Sequence, residues 1–152
     1  MNKKNNCFLK SLGYAIKGFW DALHYERNLR FHFCVGNLIC FFAWFYGISS
    51  VEWAVLLLTV GFVISAELFN SAVEMAVDTA TSEIRPEAGH AKDYGAAATL
   101  VSAFFSVAVG IALFGNITKI INALTGIFTS VKGIAILVVL IIIDLKVLLL
   151  KK

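Results

Sequence analysis

Four polar side chains interrupt an otherwise apolar stretch at residues 66–78, which reads AELFNSAVEMAVD. Glu67, Asn70, Glu74 and Asp78 follow one another at steps of three or four residues. On a helix, at about 100° per residue, they fall within an arc of roughly 80° and form one polar stripe. Carboxylates arranged in this way can bind a hard cation, accept a proton from a hydroxyl group, or carry protons across a membrane.

The composition of the whole chain indicates where this stripe lies. Of 152 residues, 59% are hydrophobic and only 15% are charged, and the mean hydropathy is +0.81. Soluble domains average about 25% charged residues, and a single domain of this length cannot hide so much apolar surface from water. We therefore expect an integral membrane protein, with lipid covering part of its surface.

Hydrophobic periodicity divides the chain into helices. Residues 7–24 are amphipathic, which predicts a surface helix that lies in the membrane interface, packs on protein, or does both. Longer apolar stretches predict three transmembrane helices, at about 31–50, 53–77 and 94–115. The predicted fold is therefore an all-α membrane bundle.

The end of the chain allows two interpretations. We expect residues 1–117 to form the membrane domain and residues 118–152 to be an extension of it. Residues 133–150 are apolar apart from Asp144 and Lys146. They predict a fourth span, or alternatively an interfacial helix.

The basic residues orient the predicted bundle in a plasma membrane. Six of the thirteen lysines and arginines lie within the first thirty positions, whereas the predicted connection at 47–52 has none and that at 78–93 carries Arg85 and Lys92. By the positive-inside rule, the N-terminus and the 78–93 connection face the cytoplasm. Because no basic patch with interleaved aromatic residues lies on a soluble module, we do not expect nucleic acid as a partner.

The depth of Glu67 favours a functional role for the stripe. It lies about fourteen residues into the second predicted span, roughly 21 Å from the outer end at 1.5 Å per residue. Ionisable groups at such depth cost several kcal/mol unless they are paired or hydrated. One alternative is contact between helices, with Glu74 paired to Arg27 or Arg30. The functional alternatives are ion or proton transport and Mg²⁺-dependent transfer to a membrane lipid.

Other motifs narrow the chemistry only slightly. Neither G-x-x-x-x-G-K-[ST] nor G-x-G-x-x-G occurs, so no familiar nucleotide-binding loop supports kinase activity. The histidines lack the spacing of metal ligands, and we interpret all three as interfacial or loop residues: His24, His32 and His90.

Three motifs, taken in order and spacing, resemble the prokaryotic diacylglycerol kinase family. They are ERNLRFH at 26–32, AELFNSAVEMAVD at 66–78 and GHAKDYGAAA at 89–98, and the resemblance covers roughly residues 8–115. It implies a homotrimer, in which each chain has a surface helix and three membrane helices. It also implies that ATP binds on the cytoplasmic side and that its γ-phosphoryl group passes to a lipid hydroxyl.

The acceptor lipid is less closely specified by this resemblance. The segments ERN, FH and SSVEW resemble the Gram-positive branch of the family, which implies an undecaprenol kinase. Diacylglycerol kinase is the close alternative. A small proton-coupled transporter or a structural bundle is the alternative from a different class.

The resemblance further implies roles for individual residues. Glu67 corresponds to the catalytic base and Asn70 to its neighbour in the active site, while Glu26 and Glu74 correspond to a pair that binds Mg²⁺. The ATP-binding positions are Tyr14, Glu26, Glu74, Glu83, Arg85, Lys92 and Asp93. The lipid-binding positions are Asn28, Arg30 and Glu67. Family members often have an arginine where Cys7 stands, near the nucleotide and the lipid.

Overall fold

The computed structural model describes the backbone of residues 3–81, 83 and 85–150, and the side chains of these residues from Phe8 onward; Cys7 is outside the described side chains. Regular structure in this part of the chain is entirely α-helical, as the sequence predicts. The helices are α1 (Lys3–Tyr25), α2 (Arg27–Tyr46), α3 (Ser50–Ala80), α4 (Pro86–Phe114), α5 (Ile117–Thr129) and α6 (Val131–Leu148).

Three of the described helices, α2, α3 and α4, are long and apolar enough to cross a membrane. They correspond to the predicted spans, but each begins earlier than the apolar stretch that revealed it, and α2 ends before the predicted limit at residue 50. The interpretation of 78–93 as one loop is wrong, because α3 continues to Ala80 and α4 begins at Pro86. Proline suits the first helical position, where its missing N–H has no partner to lose.

The turn between α2 and α3 explains why α2 ends before residue 50. Gly47 has φ 74°, a left-handed conformation that favours glycine, and it terminates α2. Ser49 and Glu52 then form a capping box: the Glu52 backbone N–H donates to Ser49 Oγ at 3.3 Å, and the Ser49 N–H donates to Glu52 Oε2 at 2.6 Å. A new helix therefore starts at once in the opposite direction.

The three long helices form a bundle with two distinct ends. We call the end that holds the α1–α2 junction, the close of α3 and the start of α4 the site end, and the end with the Gly47 turn the far end. α3 and α4 make the most extensive contact, and α2 packs on α3. Many large apolar side chains remain exposed on the bundle, including Leu58 and Phe104. A covering of lipid or of further protein is therefore required.

Helices α5 and α6, which we call the C-terminal arm, both pack on α2. α5 contacts its far end, where Ala123 is buried with Ala43 and Tyr46. The chain bends by 89° between the two helices, and Ser130 Oγ accepts from the Gly133 N–H at 3.2 Å to start α6. α6 then returns along α2 to the site end, where Leu148 shares a cavity with the start of α2. The possible fourth span predicted at about 133–150 corresponds to this helix.

Candidate active site

Glu67 is the buried centre of the polar stripe. Its side chain lies on α3 at 3% exposure, and its Oε1 is 3.3 Å from Nε2 of His32 on α2. One turn from His32, Gly36 lets the two helices approach, because a Cβ there would lie 2.8 Å from Cγ1 of Val60. Close packing of α2 on α3 therefore brings the imidazole to the carboxylate.

The contact changes the interpretation of His32. The sequence indicated an interfacial or loop histidine, and the loop alternative is wrong, because His32 lies within α2, where it is half-buried and paired with Glu67. Motif spacing could not reveal the pair, since its members belong to different helices. The period of α2 does supply a signal: His32 and Gly36 are four residues apart and share a helix face.

Asn70 and Glu74 continue the stripe towards the site end. Asn70 Nδ2 donates to Glu74 Oε1 at 2.9 Å, and Asn70 is 9% exposed. Its Oδ1 is buried without a hydrogen-bond partner among the described residues. Gly95 on α4 makes room for this amide, because a Cβ at that position would lie 2.5 Å from Oδ1. The free oxygen is a ready acceptor or cation ligand.

The α1–α2 junction brings Glu26 to the same region. Glu26 occupies the N-cap position of α2, with φ −101° and ψ 109°. Glu26 and Glu74 are each near enough to Glu67 for their negative charges to act on it. A metal ion shared by Glu26 and Glu74 would join the N-terminal part of the chain to α3.

Arg30, a predicted lipid-binding residue, stabilises the α1–α2 junction. It is buried, and its Nη1 donates to the carbonyl oxygens of Leu23 at 3.1 Å and His24 at 2.7 Å, near the end of α1. A cation suits this position, since the carbonyls at a helix C-terminus carry partial negative charge. Arg30 therefore holds α1 against α2, instead of pairing with Glu74. Its predicted contact with lipid is not tested by this geometry.

The acidic residues and Asn70 fit the needs of Mg²⁺. In the described part of the chain, no group of three or more His, Cys, Asp or Glu side chains is arranged to hold a metal by itself. Mg²⁺ usually takes one or two carboxylates, together with waters and substrate phosphates, and prefers oxygen ligands. Glu26, Glu74 and the unpartnered Oδ1 of Asn70 offer oxygen ligands of this type.

A second polar region, which we call the loop cavity, lies where α3 meets α4 at the site end. It has a volume of about 380 Å³, and its lining includes Asp78, Glu83, Arg85 and Lys92. Arg85 donates to Glu83 Oε2 from Nε at 3.0 Å and from Nη2 at 2.6 Å, and Lys92 donates to Asp78. The N-terminus of α4 adds partial positive charge. The cavity can accept an anion if the two cations exchange their carboxylate partners for it.

The predicted nucleotide residues Tyr14 and Asp93 are exposed and lie outside the lining of the loop cavity. Tyr14 is on α1 and Asp93 follows Lys92 on α4. The structure thus brings Glu83, Arg85 and Lys92 together, while Glu26 and Glu74 lie nearer Glu67. Roles for Tyr14 and Asp93 stay predictions from the resemblance.

A third region, which we call the α2–α6 cavity, lies between the start of α2 and the end of α6. It measures about 420 Å³ and is lined by Arg27, Asn28, Phe31, His32 and Leu148. Asn28, predicted to bind lipid, lies in this lining, and His32 connects the cavity to Glu67. A polar group that enters here meets His32, the lining residue that is paired with Glu67.

Comparison with known proteins agrees with the motifs. The family model described as prokaryotic diacylglycerol kinase matches residues 13–114. An undecaprenol kinase from Bacillus subtilis is 35% identical over 109 residues, which cover 72% of this chain and 89% of that protein. A diacylglycerol kinase from Escherichia coli K12 is 31% identical over 99 residues, which cover 65% of this chain and 81% of that protein. The family match ends at Phe114, so the C-terminal arm lies beyond it.

Proposed function

We propose that this chain, which belongs to the prokaryotic diacylglycerol kinase family and is a membrane lipid kinase, transfers the γ-phosphoryl group of ATP to undecaprenol. The observation that carries the proposal is Glu67, a carboxylate buried within an apolar helix and held 3.3 Å from His32. The similarity to an undecaprenol kinase over 89% of that protein's length supports this acceptor. Diacylglycerol is the alternative.

Glu67 is the general base of the proposed reaction. A primary alcohol attacks poorly at neutral pH, and a positioned carboxylate that takes its proton contributes about 10²–10⁴-fold to the rate. His32 Nε2 lies 3.3 Å from Oε1 of the same carboxylate and holds that oxygen in place, which leaves the second oxygen for the lipid hydroxyl. Burial keeps water from competing for this position.

Glu26, Glu74 and Asn70 would hold Mg²⁺ beside the base. The ion would neutralise charge on the phosphoryl oxygens during transfer. The chain itself positions these oxygen ligands: Asn70 Nδ2 donates a hydrogen bond to Glu74, and Asn70 Oδ1 stays without a partner. Since Glu26 comes from the α1–α2 junction, binding of the ion would also draw that junction to α3.

The loop cavity is the proposed site for the phosphates of ATP. Arg85 and Lys92 would exchange Glu83 and Asp78 for phosphate oxygens, and the N-terminus of α4 would assist them. Asp78 is eleven residues beyond Glu67 on α3, about 16 Å along the helix. The nucleotide therefore approaches the stripe from its Asp78 end. Tyr14, Glu83 and Asp93 complete the proposed nucleotide surroundings.

We further propose that the site end faces the cytoplasm, that α1 lies in the membrane interface, and that the chain forms a homotrimer. The basic residues of the N-terminal region support the orientation. The exposed apolar faces of α3 and α4 support assembly or lipid contact. Cross-linking in native membranes should give trimers, and recovery of monomers alone would contradict the trimer.

The acceptor can be tested with purified protein in mixed micelles. With ATP and Mg²⁺, undecaprenol should give a higher kcat/KM than diacylglycerol at equal surface concentration. A preference for diacylglycerol would overturn the acceptor but keep the enzyme class. No transfer to either lipid, with proton flux in ATP-free liposomes, would favour a transporter.

A further inference from the structure

We propose that the C-terminal arm forms one wall of the lipid-binding site, with α6 closing the α2–α6 cavity around the hydroxyl end of a single-chain polyprenyl alcohol. This inference rests on the proposed function, because the cavity can bind the lipid substrate only if Glu67 acts on a lipid hydroxyl. The arm lies outside the part of the chain that the family model matches. The wall would therefore be a specificity element added to the matched domain.

Asp144 fixes α6 on α2. It is 5% exposed, and its Oδ1 accepts a hydrogen bond from Nδ2 of Asn37 at 3.0 Å. Cys34 Sγ donates to the Asp144 carbonyl oxygen at 3.6 Å. A carboxylate at hydrocarbon depth is costly without such a partner. Since Asn37 and Cys34 are three residues apart on one face of α2, they hold α6 in a single register.

That register carries Leu148 to the site end. It lies one turn beyond Asp144 and lines the α2–α6 cavity opposite the first turns of α2. Arg27, Asn28 and His32 make one side polar, while Phe31 and Leu148 are apolar. This pattern matches the end of an amphiphile, which presents a hydroxyl group to polar partners and a hydrocarbon chain to the wall. His32 is the lining residue that lies 3.3 Å from the proposed base, Glu67.

The fixed position of the wall favours one hydrocarbon chain over two. The cavity, of about 420 Å³, lies within the roughly 300–1,000 Å³ that small-molecule sites span. A diacylglycerol brings a branched glycerol with two ester groups to the same place. Because Asp144 holds α6 against α2, the wall cannot move outward freely to admit it. A polyprenol, with one chain leading away from its hydroxyl, needs no such opening.

Substitutions at Leu148 test the wall directly, with Leu149 as the matched control. Leu149 is 73% exposed and is not part of the cavity lining. Leu148→Ala should widen the cavity and lower the ratio of kcat/KM for undecaprenol to that for diacylglycerol by about tenfold, the scale of a hydrophobic pocket that gains space. Leu148→Trp should raise the KM for both lipids and leave the KM for ATP unchanged. Leu149→Ala and Leu149→Trp should match the parent in all these constants.

The outcomes separate this inference from the proposed function. If the parent phosphorylates undecaprenol and the Leu148 variants keep its lipid constants, the wall is contradicted and the kinase stands. If the parent phosphorylates neither lipid, the proposed function itself fails. The Leu149 variants could also change the ratio of kcat/KM for undecaprenol to that for diacylglycerol as much as the Leu148 variants do. That result would contradict the proposed wall as well, because the effect would come from the arm in general.

A cross-link supplies an independent readout of the arm's position. In a Cys7→Ser, Cys40→Ser background, Asp144→Cys should join to Cys34 within one chain on treatment with a short bifunctional thiol reagent. Lys146→Cys, on another face of α6, should not. The linked protein should keep undecaprenol kinase activity and the parental lipid preference, since the wall is static. Equal linkage at both positions, or activity lost on linkage, would contradict the proposal.

Discussion

Replacing Gly95 by alanine tests whether turnover depends on the position of Asn70. The new Cβ would lie 2.5 Å from Asn70 Oδ1, and ordinary contact begins at 3.4 Å, so the amide must move by about 0.9 Å. A shift of that size would break its 2.9 Å hydrogen bond to Glu74 and misdirect the free oxygen. Misplacement by 1 Å in an active site can cost about 10²-fold in rate. We therefore expect kcat to fall by about 10- to 100-fold.

The stability of the variant should change much less than its rate. Overpacking costs about 1–3 kcal/mol, and exchange of glycine for alanine within a helix returns up to about 1 kcal/mol. Gly110→Ala is the matched control on α4, because a Cβ there meets nothing within 4 Å. It should be at least as stable as the parent and equally active.

The assay measures kcat at saturating ATP and undecaprenol, beside the thermal unfolding midpoint of each variant. Turnover of Gly95→Ala within about twofold of the parent, with folding intact, would refute the placement of Asn70 in the active site. If Gly95→Ala unfolds early, the double variant with Asn70→Ala should recover stability, because the clashing amide is gone, while activity stays low. Activity that returns with stability would refute the reasoning as well.

The other variants probe the remaining parts of the site. His32→Ala should lower kcat by about 10- to 100-fold at unchanged KM for ATP, since the imidazole holds the Glu67 carboxylate in place and misplacement by about 1 Å can cost about 10²-fold in rate; an unchanged kcat would show that the contact does not matter for turnover. Glu26→Gln and Glu74→Gln should each raise the Mg²⁺ concentration for half-maximal activity, and a variant with the parental Mg²⁺ titration would mark that residue as structural. Lys92→Ala should raise the KM for ATP and leave the KM for lipid unchanged. Lys132→Ala, at the far end, is the control and should change neither KM. A selective effect of Lys92→Ala on the KM for lipid would mean that the loop cavity is not the nucleotide site.

Local patterns in the sequence were sufficient to predict the three long helices, but not α5. Three apolar stretches of spanning length revealed α2, α3 and α4, and the steps between polar residues placed Glu67, Asn70 and Glu74 on one face. The precise helix ends depended on particular residues. Gly47 ends α2 before the apolar stretch does, and Pro86 starts α4 within the polar connection.

The contacts between helices could not be predicted in the same way. His32 with Glu67, and Asn37 with Asp144, each join side chains whose meeting depends on how two helices pack and in which register. The role of Gly95 is likewise invisible until α4 lies against Asn70. Arg30 could have paired with Glu74 by its charge alone, but the nearby carbonyl oxygens of α1 bind its guanidinium. Such choices are made by packing geometry, which a single sequence does not encode locally.

The central claim is that Glu67 accepts the proton of a lipid hydroxyl during phosphoryl transfer. The most direct test compares parent and Glu67→Gln for movement of label from γ-labelled ATP to undecaprenol in the presence of Mg²⁺. We predict labelled lipid from the parent, a rate about 10²–10⁴-fold lower from the variant, and equal ATP binding by both. Transfer by Glu67→Gln within a few-fold of the parent would contradict the account.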